Sequence, residues 1–291
     1  MPPLLFGVIT VVVAVVFVGL DLRSASFRAG FTTDVARRNR NLGYIVGNVV
    51  SMSALNAVNL WLMDQITPLW SWQSLPRVVE VTACVLIAEG INWCSHWVKH
   101  QQRWLWTFHV QHHVGRRYDT TLTLHTHGVD VVLTGAVMSA VLLWSGFTKL
   151  SVDVFLLLYF ATNLYKHGHS RLSLGRVLDK IIVGPAYHRV HHSTVERGNY
   201  GSVLTLFDVV FCTAIWPSAT VFEDEVGVDR QDEAGFATEM LLPLRSLRGV
   251  APAAPARFGG PVSVQVGDGA SRYGPLSPSP APDDRCDQCS H

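Results

Sequence analysis

Twelve of the chain's thirteen histidines lie between His96 and His192, and their spacing repeats. The pattern His-x-x-His-His occurs twice, over 109–113 and 188–192, and an earlier pair has the spacing His-x-x-x-His. Spacings of three and four residues place side chains on one face of a helix, and imidazole is the commonest protein ligand for transition metals. In each triplet the first histidine shares a face with one of the other two, and the remaining one is rotated by about 100°, so that a triplet can reach two ions, or one ion and a supporting partner. The pattern predicts a centre with more than one metal, built almost entirely from histidine.

The ligand type narrows the choice of metal and reaction. Nitrogen-only ligation suits zinc, copper, iron or nickel and argues against magnesium and calcium. A haem needs only one or two axial histidines, structural zinc is usually rich in cysteine, and a hydrolytic zinc pair usually recruits a carboxylate. Carboxylates are few between the histidines. Two iron ions that react with O₂ fit best, because a site facing lipid has C–H bonds to oxidise. A membrane zinc hydrolase and a metal carrier or sensor are the alternatives.

Composition places these histidines in an apolar chain. Hydrophobic residues make up 48% of the 291 residues and charged residues 15%, which indicates membrane spans. The net charge of +1 and the lack of a basic run give no reason to expect a nucleic-acid partner. Three of the five cysteines lie in apolar segments and two near residue 290, unlike a secreted disulfide framework.

Five apolar segments are candidates for helices in the membrane. A signal peptide is the alternative for the first, but no Lys or Arg precedes it and no small-x-small cleavage site follows. Four residues separate the fourth segment from the fifth, which predicts an αα-hairpin that crosses most of the bilayer and returns. The segments are Leu4–Leu20, Leu42–Met63, Val78–Trp97, Gly128–Phe147 and Val152–Tyr165.

Positive charge predicts how the chain is oriented. The stretches after the first, third and fifth segments are rich in Lys and Arg, whereas the loop after the second contains only Arg77. Because Lys and Arg concentrate in cytoplasmic loops, the N-terminus is expected outside and every histidine motif at the cytoplasmic face. The expected fold is an all-α integral membrane protein with about four to five transmembrane or membrane-embedded helices and a cytoplasmic, histidine-rich helical cap.

The C-terminal part of the chain is expected to differ from the rest. Residues 203–216 are apolar but too short for a confident span, and we expect a buried or interfacial helix there. From Val250 onward Pro, Ala, Gly and Ser dominate, which is typical of a disordered tail, where Cys286-x-x-Cys289-x-His291 is a weak zinc candidate. The expected divisions are membrane helices and linkers over 1–77, a catalytic domain over 78–216, a cytoplasmic segment over 217–249 and a tail over 250–291.

Other polar residues near the histidines have two interpretations each. Asp119 could orient a ligand histidine or cap a helix, and Asp130 is more often a charge at a helix N-terminus than a catalytic group. Asn199 and Tyr200 are expected to form a turn rather than contact a substrate. Glu89 lies within a predicted span, where a carboxylate is costly to bury, and is therefore a functional candidate.

These motifs resemble those of the sterol desaturase/fatty acid hydroxylase superfamily of membrane di-iron oxygenases, roughly over residues 78–216. Residues 106–113 are similar to its Trp-x-Phe-His-x-x-His-His, and residues 187–193 (Tyr-His-Arg-Val-His-His-Ser) nearly repeat one of its strings. Stretches at 119–121, 127–130, 167–175, 199–201 and 208–213 resemble further motifs. The chain departs from the family at Gly128, Asp130, His125, His169 and Cys212, where the family has Pro, Glu, Arg, Asn and Gly.

The resemblance implies two iron ions per chain that use O₂ to hydroxylate or desaturate an unactivated C–H bond of a lipid of the sterol, fatty-acyl, sphingolipid or carotenoid kind. The lipid is expected to enter from the bilayer. Electrons are expected from an external reductase, because no flavin, nicotinamide or haem motif is visible. His127 is a candidate ligand or a group that supports one. The implied catalytic ligands are His96, His100, His109, His112, His113, His167, His188, His191 and His192.

Overall fold

The computed structural model describes residues 1–28, 34–114, 118–194, 198–222, 226–227 and 235–246. Regular structure in these residues is helical apart from two isolated β-bridges, which confirms the predicted all-α class. Short 3₁₀ helices cover Trp72–Ser74, Thr120–Leu124 and Leu178–Lys180. The α-helices are α1 Pro3–Asp21, α2 Val35–Gln65, α3 Arg77–Gln101, α4 Arg103–His113, α5 Gly128–Trp144, α6 Lys149–Lys166, α7 Pro185–His191, α8 Leu206–Val210 and α9 Phe236–Ser246.

Three of these helices, α1, α2 and α3, are long and apolar enough to cross a membrane, and α5 is apolar but shorter. Large apolar side chains such as Leu4, Val15 and Val49 are more than half exposed on them. Such surfaces are stable in contact with lipid rather than water. The chain is therefore an integral membrane protein. Each of the five predicted apolar segments forms a helix, the fourth of them only as far as Trp144.

The predicted αα-hairpin is formed by α5 and α6. Its turn contains Gly146 at φ +75°, a conformation that L side chains rarely adopt. Two contacts tie the turn to the start of α3 and the loop before it: Trp72 Nε1 donates to Ser145 O at 2.8 Å, and Glu80 Oε1 accepts from Thr148 N at 2.7 Å. Beneath the turn, a core of α3, α5 and α6 side chains centres on Cys84 and Phe155.

α2 begins earlier than the apolar pattern predicts, at Val35 rather than Leu42. Asp34 caps it by accepting from Arg37 N at 2.9 Å. Arg37 and Arg40 are both buried, and each has an acidic partner. Arg37 pairs with Asp119, and Arg40 lies 3.8 Å from Glu239 on α9. Because of these two arginines, the hydropathy pattern does not predict the first turns of α2 as part of a span. In the fold their charges are neutralised by acids from distant parts of the sequence.

The helix expected over 203–216 is largely wrong, because only Leu206–Val210 is helical. Cys212 has φ +55°, which ends the helix, and the N–H groups of Thr213 and Ala214 both donate to Asp208 O, at 2.8 and 3.1 Å. Asn199 Oδ1 then accepts from Ile215 N at 2.7 Å and holds the following chain extended. The predicted tail over 250–291, with its Cys-x-x-Cys-x-His motif, lies outside the described residues.

Candidate metal centre

The fold brings nine of the predicted histidines into two groups. In each group the candidate ligand nitrogens all lie within 4.8 Å of one another. The groups are neighbours, since the rings of His113 and His192 stack with centroids 4.5 Å apart. The first group consists of His96, His100, His109, His113 and His191, and the second of His112, His167, His188 and His192.

Helical spacing explains how the repeated motif divides between the groups. His109 and His113, four residues apart on α4, face the first group, while His112 faces the second. In the other copy His188 and His192 face the second group and His191 the first. Each triplet therefore contributes to both groups, as its spacing predicts. α3 supplies the remaining pair of the first group, and the residue that follows α6 completes the second.

Hydrogen bonds at Nδ1 orient the histidines of the first group. His96 Nδ1 donates to Tyr200 O at 2.9 Å, His109 Nδ1 to Asp130 Oδ2 at 2.9 Å, and His191 Nδ1 to Gly198 O at 2.8 Å. A proton at Nδ1 leaves the Nε2 lone pair available, the arrangement that metal-binding histidines adopt. The Nε2 atoms of His96, His109 and His113 are buried and have no hydrogen-bond partner among the described residues. Because buried polar atoms are rarely left unsatisfied, this donor set fits a metal ion.

The second group converges on His167. Its Nδ1 donates to Asn163 O at 2.8 Å, while its Nε2 lies 3.1 Å from both His112 Nε2 and His188 Nε2. His167 and His188 are completely buried. Three imidazole nitrogens that meet in this way fit a shared cation better than hydrogen bonds between themselves, because a neutral ring carries a single N–H.

The electrostatic environment keeps these rings neutral. Burial lowers the pKa of His112, His113 and His188 well below the usual histidine value, and neighbouring histidines lower it further. Burial also lowers the pKa of His109, although the Asp130 carboxylate opposes the shift. Neutral imidazole is the form that binds metal, so the site is prepared for a cation at neutral pH.

Residues 81–213, which include all nine histidines, match the family model described as fatty acid hydroxylase. This segment belongs to the sterol desaturase/fatty acid hydroxylase superfamily, as its motifs predict. The ornithine lipid hydroxylase OlsE of Rhizobium tropici is 29% identical over 182 residues, which cover 58% of this chain and 51% of that protein. The chain thus spans about half the length of this curated relative. No solved structure is significantly similar to the chain.

Within the matched segment, Asp130 joins a cation to a histidine. Its Oδ1 accepts from Lys99 Nζ at 2.5 Å, while its Oδ2 accepts from His109 Nδ1. Asp130 also lies in the first turn of α5, as expected of a charge at a helix N-terminus. The two interpretations of this residue are therefore compatible. Its lysine partner was not predicted, because the pair joins two separate helices.

Asp208 is the hub of the loop behind the first histidine group. It is completely buried, and its carboxylate accepts five hydrogen bonds. The donors are Trp93 Nε1 on α3, Tyr187 OH on α7, Thr213 Oγ1 and the N–H groups of Tyr200 and Gly201, at 2.7 to 3.2 Å. This hub fixes the turn whose carbonyls orient His96 and His191. Asn199 adopts φ +58° in this loop.

Glu89 holds the next part of the same loop, residues 202–204. Its Oε1 accepts from the N–H groups of Ser202, Val203 and Leu204 at 2.7, 2.8 and 3.1 Å. It is completely buried, and Lys166 Nζ lies 3.4 Å from the carbonyl of Ser202. The carboxylate predicted as a functional candidate thus anchors the loop that follows the Asp208 hub.

Other predicted candidates lie outside both groups. His127 caps α5, since its Nδ1 accepts from Val129 N at 3.0 Å, and its Nε2 lies 3.2 Å from Met240 O. The Nε2 of His125 forms a hydrogen bond of 2.8 Å with Asn41 Oδ1. His169 is exposed, with its Nε2 3.2 Å from Ser26 Oγ. Asp119 caps the 3₁₀ helix Thr120–Leu124 and contacts no ligand histidine that the structure describes.

Proposed function

We propose that this protein is a membrane-embedded, O₂-dependent lipid hydroxylase with two iron ions. The observation that carries the proposal is the pair of adjacent, buried, all-imidazole groups inside a fatty acid hydroxylase domain. The first group would hold one ion and the second group the other. Nitrogen-only ligation suits iron, and neither group contains a carboxylate to bridge or activate a hydrolytic zinc pair.

Iron bound at these groups would supply activation of O₂ for attack on an unactivated C–H bond. The chain's own side chains would hold and orient the two ions, with the Nδ1 hydrogen bonds of His96, His109 and His191 fixing the ring planes. The burial of these histidine side chains excludes bulk water from the reacting atoms. Electrons would come from a separate donor protein, since the chain carries no recognisable redox cofactor motif.

The substrate is proposed to be a membrane lipid that enters from the bilayer. Access from the bilayer is supported by His96 and His100, which lie on a helix long and apolar enough to cross a membrane. The relative's name specifies an ornithine lipid as that protein's substrate. The names of the family and of the relative favour hydroxylation over desaturation. The Lys- and Arg-rich loops favour a site at the cytoplasmic face.

The test is metal content per chain, measured by elemental analysis of protein purified from iron-supplied cells, together with lipid oxidation in the presence of O₂ and a reductant. We expect two irons per chain, and loss of both metal and hydroxylated product in His188→Ala. The control is His169→Asn, which changes an exposed histidine outside both groups and should retain both.

Three results would overturn the proposal. Full metal content and turnover in His188→Ala would exclude the ligand assignment. Lipid cleavage that needs neither O₂ nor reductant would favour the zinc hydrolase instead. One metal ion or none per chain, in iron-supplied cells, would exclude a dinuclear centre and favour a carrier or sensor.

A further inference from the structure

A compact surface of this protein combines exposed apolar side chains with exposed cations outside the three membrane-crossing helices. It consists of residues 171–182 and 204–211, called here the apolar module. Val177, Val210 and Phe211 are 71%, 60% and 53% exposed. Water-exposed surfaces rarely present so many large apolar groups together. The further exposed members are Leu172, Leu174, Leu178, Ile181, Leu206 and Val209.

The two stretches of the module are bonded to each other. Thr205 N donates to Ile181 O at 3.0 Å, and its hydroxyl donates to Lys180 O at 2.7 Å. An antiparallel bridge joins Ile182 to Leu204. The exposed side chains of both stretches therefore belong to one surface, which the backbone pairing keeps in place.

The charges of the module are arranged asymmetrically. Arg171, Arg176 and Lys180 are exposed. The acid within residues 171–182, Asp179, is used internally: its Oδ1 accepts from Leu174 N at 2.8 Å and its Oδ2 accepts from the Ser173 hydroxyl. This carboxylate closes the loop onto the 3₁₀ helix, and the outward charge is positive. Basic groups interspersed with apolar ones match an anionic lipid surface.

The module also packs against α3, one of the helices long and apolar enough to cross a membrane. The ring of Phe207 packs against Gly90 of α3 so closely that a Cβ there would lie 3.0 Å from its Cζ. Gly90 is eleven residues before the end of α3, which corresponds to about 16 Å along the helix. Phe207 also lines an open, mainly apolar groove of about 580 Å³ between α3 and α5, a space that suits an acyl chain. The module is thus continuous with the membrane-crossing part of the protein.

We propose that the apolar module inserts into one leaflet of the bilayer and binds anionic phospholipid headgroups through Arg171, Arg176 and Lys180. The surface is separate from the histidine groups, so its test requires neither metal nor turnover. An acidic electron-donor protein is the competing occupant of a basic, apolar surface, and the experiment separates the two.

The full chain carries a photo-crosslinking amino acid at Val210 and is placed in bilayers of phosphatidylcholine mixed with an equal amount of phosphatidylglycerol. Adducts are identified by mass spectrometry. We expect lipid adducts, with phosphatidylglycerol favoured about fivefold. The same group at Asn39, an exposed polar position at the start of α2, should give few lipid adducts.

Removing charge tests the headgroup contact. The double variant Arg176→Gln with Lys180→Gln should lower the preference for phosphatidylglycerol from about fivefold to about twofold or less, the remainder coming from Arg171. The matched control, Arg38→Gln with Arg103→Gln, removes two exposed cations elsewhere and should keep the preference. The proposal would be overturned if the chain with its native charges gave equal amounts of phosphatidylglycerol and phosphatidylcholine adducts, or if Val210 gave no lipid adduct. Neither result depends on whether the charge-removing variants fold. Capture of a protein in place of lipid in native membranes would assign the surface to a donor protein.

Discussion

At the scale of single residues, Asp130 determines which nitrogen of His109 faces the first histidine group. The carboxylate accepts only, so His109 carries its proton on Nδ1, and Lys99 keeps the carboxylate ionised. In Asp130→Asn, the amide can donate to Nδ1 and stabilise the wrong tautomer. We expect metal affinity to fall about 10- to 100-fold, measured by competition with a chelator.

Asp153→Asn is the matched control for this prediction. It also removes a buried carboxylate bonded to a lysine, Lys149 at 2.8 Å, but on a helix end without histidines. Its metal affinity should equal that of the unaltered protein. Equal loss in both variants would mean that the effect at Asp130 is general destabilisation rather than orientation of His109.

Acidification should remove the metal and destabilise the fold together. Burial lowers the pKa of His113 and His192 in the folded chain well below 6.5, the value they regain on unfolding. The unfolded state therefore binds more protons below about pH 6.5, so the stability these groups contribute is complete above that value and is lost as the pH falls. We expect metal content and melting temperature to be constant above about pH 6.5 and to decrease together below it.

The direction of the pH dependence distinguishes buried neutral histidines from groups whose pKa is raised in the folded chain. Groups with a raised folded pKa would give the opposite result, with stability lost on the alkaline side. Metal loss on raising the pH from neutral would therefore contradict neutral, buried imidazoles as the donor set. His169→Asn should show the unaltered profile, because that side chain is exposed.

The family resemblance implied nine histidine ligands and offered His127 as a tenth candidate, and the fold brings those nine together, although their role as ligands stays a prediction. The helical periods of three and four carry that information locally. The supporting contacts of Asp208, Glu89 and Lys99 were not predicted, since each joins segments distant in the chain. His127 matched a family motif, yet its ring caps a helix, and spacing alone does not separate those roles.

At the scale of elements, the turn between α5 and α6 depends on glycine twice over. Gly146 has φ +75°, and a Cβ there would lie 1.9 Å from the backbone carbonyl oxygen of Trp70. A backbone atom cannot swing aside as a side chain does. We expect Gly146→Ala to lower the unfolding free energy by about 3 kcal/mol or more, from backbone strain plus the clash, measured by thermal unfolding in detergent.

Gly175→Ala separates the two contributions. Gly175 has φ +94°, but nothing lies within 4 Å of its Cβ position. That variant should therefore lose only the strain, about 1 to 2 kcal/mol. Equal losses at the two positions would mean that contact with the Trp70 loop does not restrict the hairpin turn.

The apolar pattern predicted the helices that form the membrane part, because hydropathy over a long window reports burial in lipid directly. It was wrong where polar contacts decide the backbone. α2 begins seven residues before the predicted segment because Arg37 and Arg40 pair with buried acidic side chains. The stretch 203–216 is mostly loop because Asp208 and Asn199 bond its backbone. Neither partner set can be read from a local window.

At the scale of the whole molecule, α3 decides on which side of the membrane the histidine groups lie. It has 25 residues, about 37 Å, enough to cross a hydrocarbon core of about 30 Å. Ser71 precedes it, Gln102 follows it, and both are exposed. The positive charge after α3 predicts that Gln102 is cytoplasmic. In a background whose five native cysteines are changed to serine, a membrane-impermeant maleimide added to intact cells should label Ser71→Cys, and should label Gln102→Cys only after permeabilisation.

The three labelling patterns correspond to different positions of α3 relative to the membrane. Equal labelling of both variants after permeabilisation is the control that both thiols react. If Gln102→Cys alone reacts in intact cells, α3 still crosses the membrane, but His96 and His100 lie at its outer end and the electron donor would have to be extracytoplasmic. If both react in intact cells, α3 does not cross. The histidine groups would then lie on a surface-bound helix, and a lipid could not reach them along that helix from within the bilayer.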